Sequence, residues 1–150
     1  MLYSYLNCFR QIVVNGIKEN KIRVNKNTRI KVFQSDKSNE IQSVNLCGDS
    51  LCINLRKNID IMQECFVLIE GHLLKVNYSP LFKTDEFDNL FAYDGPLGYI
   101  YHKEYTEFYV WSPVATKINL LLFKNFDTSI QEEPEVFEMQ RLDKGFSMQK

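Results

Sequence analysis

The side chains able to do covalent or acid–base chemistry are few and poorly grouped. Two carboxylate clusters stand out, Asp85, Glu86 and Asp88, and Glu132, Glu133 and Glu135 around Pro134. Paired carboxylates cleave glycosidic bonds only when a rigid scaffold holds them at a set separation across the bond. Here one cluster falls in an expected linker and the other in an expected loop, so both read as solvated. The four cysteines, Cys8, Cys47, Cys52 and Cys65, match no zinc spacing, and His72 and His102 stand alone. The expectation is four reduced structural thiols. A Cys47–Cys52 bond across the Gly48-Asp49-Ser50 turn is the alternative, which a reducing compartment opposes. No phosphate loop, nucleophile–histidine–acid set or metal cluster is visible, and no catalytic residue, cofactor or metal is assigned.

Aromatic residues are the other chemical resource. Eight Tyr, eleven Phe and one Trp make 13% of 150 residues, within 45% hydrophobic content. Charge is balanced at a net of -1, which argues against a strongly basic nucleic-acid binder. It is unevenly spread, however. Residues 1–40 hold eight Lys/Arg against three Asp/Glu, and the remainder holds ten against sixteen. A basic N-terminal patch attracts phosphate-rich partners. The plainer reading is that Lys21, Arg23 and Lys31 solvate the outer face of a hairpin. No apolar run reaches the ~18 residues that cross a bilayer. The N-terminus does not read as a signal peptide, so the expected address is cytoplasmic, without a membrane or nucleic-acid partner.

The elements that position these groups read as strands, because apolar residues recur mostly with period two. Ile22 and Val24, then Ile30 and Val32, predict a hairpin closed by Asn25-Lys26-Asn27-Thr28. Ser43 to Leu46 and Leu51 to Leu55 predict another, and Cys65 to Ile69 pairs with His72 to Val76 around Gly71. A helix over Leu2 to Asn15 stays open. Thr84 is a fitting N-cap for one short helical turn at Asp85 and Glu86. Further strands are expected over Glu107 to Trp111, Lys117 to Phe123 and Val136 to Met139, with one starting at Phe146. The fold class is all-β.

Residues 91–123 read FAYDGPLGYIYHKEYTEFYVWSPVATKINLLLF. Gly95-Pro96-Leu97-Gly98, then Phe108 to Ala115 as F-x-V-W-S-P-x-A, then Met139-Gln140-Arg141-Leu142-Asp143-Lys144-Gly145, resemble the start of the β-sandwich module that precedes the catalytic barrel in α-amylase-superfamily debranching enzymes. Ser112 stands where that family commonly has Ala. The leading Glu86 to Gly95, EFDNLFAYDG, resembles type I pullulanase, in which an extra small β domain comes first.

The resemblance implies three segments. Residues 1–82 would be the N-terminal β domain, 83–94 a linker, and 95–150 the start of an immunoglobulin-like carbohydrate-binding sandwich, incomplete at its C-terminal end. It implies a non-catalytic region whose parent enzyme hydrolyses α-1,6-glucosidic linkages in pullulan, glycogen or limit dextrins. The partners would be that enzyme's catalytic barrel and an α-glucan. Tyr99, Tyr101, Tyr109 and Trp111 are the candidate sugar-stacking residues, because an aromatic face packs on the C–H face of glucose. The alternative is a glycogen-associated protein-interaction domain without a catalytic partner.

Overall fold

In strand after strand the same alternation sets the fold: one side chain buried, the next exposed. Over Cys65–Ile69, Cys65, Val67 and Ile69 are buried while Phe66 and Leu68 are half-exposed. That pattern forces a sheet to cover one face. The computed structural model describes residues 1–35, 37–125 and 132–150. They form two compact units, Met1–Leu90 and Phe91–Lys150.

The first unit is an eight-stranded sheet. In chain order its strands are β1 (Tyr3–Cys8), β2 (Gln11–Asn15), β3 (Ile30–Gln34), β4 (Lys37–Asn39), β5 (Ile41–Cys47), β6 (Ser50–Leu55), β7 (Cys65–Ile69) and β8 (His72–Asn77). Their spatial order is β4-β3-β7-β8-β1-β2-β6-β5. Every neighbouring pair is antiparallel except β1 with β8, which run parallel through Ser4↔Val76 and Tyr5↔Asn77. The registers line up one apolar face across the sheet. Val32 lies beside Val67, Leu6 beside Ile12, and Ile12 beside Ile53. All five of these residues are fully buried. Gln34, also buried, brings polar order to this core. Its amide donates to the carbonyls of Asp60 (2.7 Å) and Gln63 (3.2 Å), and its oxygen accepts from the Asp60 N–H.

One open alternative closes here and one expectation changes. The segment Leu2 to Asn15 is the β1–β2 hairpin, not a helix. Its β-branched Ile12, Val13 and Val14, all buried, fit a sheet better than a helix surface. The hairpin expected over residues 22–32 does not form. Only Ile30–Gln34 is a strand, and residues 17–29 are turns and irregular loop. Ile22 is buried as a lone anchor, so its period-two neighbours mislead.

A 3-10 turn (Leu81–Lys83) then leads into α1 (Asp85–Phe91). Thr84 Oγ1 accepts from the Phe87 N–H at 3.2 Å, the N-cap expected from sequence. Asp85, Glu86 and Asp88 fill the first turn, where carboxylates suit the positive end of the helix. Glu86 also accepts the Phe9 N–H at 3.1 Å.

The second unit holds β9 (Gly98–Tyr101), β10 (Thr106–Trp111), β11 (Asn119–Leu122), β12 (Glu135–Glu138), β13 (Gln140–Arg141) and β14 (Phe146–Gln149). One sheet runs β13-β14-β10-β9 and the other is the β11–β12 pair. The chain is therefore nearly all β, as its pattern required. Residues 126–131, part of the expected polar loop that contains Pro134, lie outside the described residues. Among the described residues, no helix is long and apolar enough to cross a membrane.

Candidate functional site

The sequence motifs of the second unit meet in space. Arg141 points its guanidinium into the turn that follows Trp111. Nη1 donates to the carbonyls of Ala115 (2.6 Å) and Ser112 (3.3 Å), and Nη2 donates to Pro113 (3.0 Å). A turn containing proline lacks one amide donor, so its carbonyls need partners from elsewhere. The rigid fork of arginine supplies three such bonds at once. The Ser112 N–H donates to the Gly145 carbonyl at 2.7 Å. Gly145 itself sits at φ +76, and a Cβ there would fall 2.3 Å from Pro113 Cα. Only glycine fits that approach. The W-S-P-x-A and R-x-x-x-G signatures thus form one structural knot, with no chemistry assigned to either.

The four candidate stacking residues fall on two faces of one sheet. Tyr99 lies beside Phe108 and Tyr101 beside Thr106, so both share a face. They are 71% and 72% exposed. Two residues along a strand place their side chains about 7 Å apart. Tyr109 and Trp111 alternate onto the opposite face, beside Met148 and Phe146 respectively. Tyr109 is packed, its ring stacked on Phe146 at 5.5 Å, and Phe146 stacks in turn on Tyr93 at 4.5 Å. Trp111 is 39% exposed, and its indole N–H donates to the Phe91 carbonyl at 2.9 Å.

A polar cluster accompanies Tyr109. Its hydroxyl donates to Glu107 Oε2 at 2.9 Å, and His102 Nε2 approaches the same oxygen at 3.3 Å. The Tyr109 bond holds the Glu107 carboxyl below its ordinary range. Partial desolvation opposes that shift, and His102 supports it by hydrogen bond and charge. The same bond pushes the Tyr109 hydroxyl up, with desolvation in the same direction. His102 stacks on Tyr105 at 4.3 Å, and the Lys150 ammonium lies 3.9 Å from the centre of that ring. Sequence reasoning missed this cluster because it missed β9. Only the β9–β10 hairpin brings His102 to Glu107. The period-two spacing of Glu107 and Tyr109 was the one available signal.

The cysteine expectation is corrected in part. Cys47 and Cys52 are disulfide-bonded, with their Cα atoms 6.1 Å apart. Hairpin geometry explains the pairing, since β5 and β6 place the two cysteines diagonally across the turn. Cys8 and Cys65 are free thiols. Burial pushes the Cys65 thiol up to about 12, which makes it inert at neutral pH. Among the described residues, no group of three His, Cys, Asp or Glu is placed to hold a metal ion.

No protein-family model matches the chain. A pullulanase from Bacillus subtilis (strain 168) is 33% identical over 81 residues, which is 54% of this chain and 11% of that protein. Among solved structures, pullulanase from Anoxybacillus sp. LM18-11 aligns with 99% of this chain at a TM-score of 0.64 and 23% identity. The Group B Streptococcus pullulanase SAP in complex with maltotetraose aligns with 99% at 0.70 and 17%. This chain covers 22% and 19% of those two structures. It therefore spans about a tenth to a fifth of the length of these three relatives. By sequence over half its length and by fold over nearly all of it, this chain is similar to pullulanases, and it resembles the N-terminal region of the type I enzymes.

Proposed function

We propose that this chain is a non-catalytic, accessory region of a pullulanase-like α-glucan debranching enzyme, and that its second unit docks onto the catalytic barrel of that enzyme. One observation carries the reading. Among the described residues of the second unit, only Pro113, Met139, Gly145 and Ser147 are buried. Val110, Trp111, Leu121, Leu122, Phe123, Val136 and Phe137 are all exposed. Apolar surface on that scale marks an interaction site. The likeness to pullulanases supports a barrel as the partner, and the whole enzyme would hydrolyse α-1,6-glucosidic linkages.

Glucan contact is the second role. Tyr99 and Tyr101 support it best, since both rings are open and share a face. Trp111 offers a smaller ring surface, and Tyr109 is held in packing. Titration with maltotetraose, read by amide NMR shifts, tests the contact. Shifts confined to β9 that vanish in Tyr99→Ala/Tyr101→Ala support it. Unchanged spectra at high sugar leave docking alone. Docking is tested by adding the catalytic region of the Bacillus subtilis enzyme in trans. Complex formation that quenches or shifts Trp111 fluorescence supports the proposal, and two independent species by analytical ultracentrifugation overturn it.

A further inference from the structure

Lys31 solvates the wet face of a strand, as expected, but Lys21 and Arg23 do not, because residues 17–29 form no strand. They form a loop shaped by its own bonds. Ile17 and Ile22 are both buried, and the Ile22 N–H donates to the Ile17 carbonyl at 3.0 Å. Lys21 takes the left-handed conformation at φ +56, and its N–H donates to the Lys18 carbonyl at 2.9 Å. Thr28 Oγ1 accepts from the Asn25 N–H at 2.7 Å and donates to the Arg23 carbonyl at 3.2 Å. The Asn27 N–H donates to Asn25 Oδ1 at 2.8 Å.

This loop walls a hollow of about 450 Å³ with the β7–β8 turn opposite. Buried Ile22 lies in its lining, and exposed Lys21, Arg23 and His72 surround it. Lys18, Arg56, Lys75 and Lys117 each have a carboxylate partner, whereas Lys26, Lys31 and Lys57 are among the described cations without one. Among the described residues, the Lys21 and Arg23 side chains have none, nor any hydrogen bond. The one carboxylate in the wall, Glu70, is engaged by the Arg29 N–H at 2.7 Å.

We propose that this hollow binds a small phosphate monoester. An arginine fork beside an ammonium suits a dianion with several acceptor oxygens, and the imidazole adds a further polar contact. Because the loop is already shaped, binding need not order it.

The test is titration of the full chain with inorganic phosphate and with glucose 6-phosphate, followed by amide NMR, with glucose as the neutral control. Saturable shifts at residues 20–28 and 70–72 are expected with both phosphates and not with glucose. Lys21→Gln/Arg23→Gln should weaken binding at least ~10-fold, about 1.4 kcal/mol. Glu70→Gln keeps an acceptor for Arg29 and removes the opposing charge, so it should tighten binding even if the double variant folds poorly. Shifts spread over every exposed lysine, or affinities unmoved by either variant, overturn the proposal. So does tighter, steeply salt-dependent binding of a duplex oligonucleotide, which would assign the surface to nucleic acid.

Discussion

At the scale of single residues, the second unit depends on Arg141. Its guanidinium serves three carbonyls of the Ser112–Ala115 turn. Arg141→Ala should destabilise this unit by about 1–3 kcal/mol. Arg141→Lys should recover little, because an ammonium cannot span the same acceptors. Trp111, the chain's one tryptophan, reports the loss in a denaturant titration, and an unchanged midpoint would contradict the role. The Glu107–Tyr109 bond makes a second prediction, with two signs. The Glu107 pKa is depressed from 4.5, so its stabilisation is complete above that value and is lost as pH falls through the lower folded value. The Tyr109 pKa is raised from 10.0, so its stabilisation is complete below that value and is lost as pH rises through the higher folded one. Near-ultraviolet circular dichroism should show a plateau between these limits, and Glu107→Gln should flatten the acidic arm. The roles of Arg141 and Gly145 were only half legible. Their types and spacing flagged them as a signature, but nothing local shows an arginine reaching back 26 to 29 residues.

At the scale of elements, strand existence was legible and strand boundaries less so. Cys65 to Ile69 and Leu51 to Leu55 announced themselves by alternation or unbroken apolar character. The loop over residues 17–29 defeated the same rule, because Ile22 and Val24 alternate with polar residues without pairing in a ladder. β9 went unseen for the opposite reason, as Gly98–Tyr101 is exposed throughout and carries no burial rhythm. The β5–β6 hairpin makes a prediction of its own. β5 ends the sheet, so β6 is its one ladder neighbour, and the Cys47–Cys52 bond ties its last residue to that neighbour. Reduction should cost about 2 kcal/mol at most, since the closed loop is short. Hydrogen exchange should rise across Ile41–Cys47 and stay unchanged across Cys65–Ile69. Equal protection with and without reductant would show that the bond carries no load.

At the scale of the whole molecule, the two units differ in what they bury. The first has a continuous core from Leu6 to Val76, and the second has few buried side chains among its described residues. Limited proteolysis should therefore cut first within residues 91–150 and leave Met1–Leu90 protected, while simultaneous loss of both would count against this contrast. Composition and patterning foretold an all-β chain. They did not foretell the sheet order, because pairing partners far apart in sequence leave no local mark.

The parallel seam between β1 and β8 shows what that order entails. β1 precedes the other seven strands of its sheet in the chain, yet it lies at the centre of that sheet, and one of its two flanking positions stays open until Val76 and Asn77 arrive. During synthesis β1 must wait, one edge bare, until β8 has followed it. The interval between those two strands is thus the one in which this sheet is most exposed to wrong partners and most in need of a chaperone.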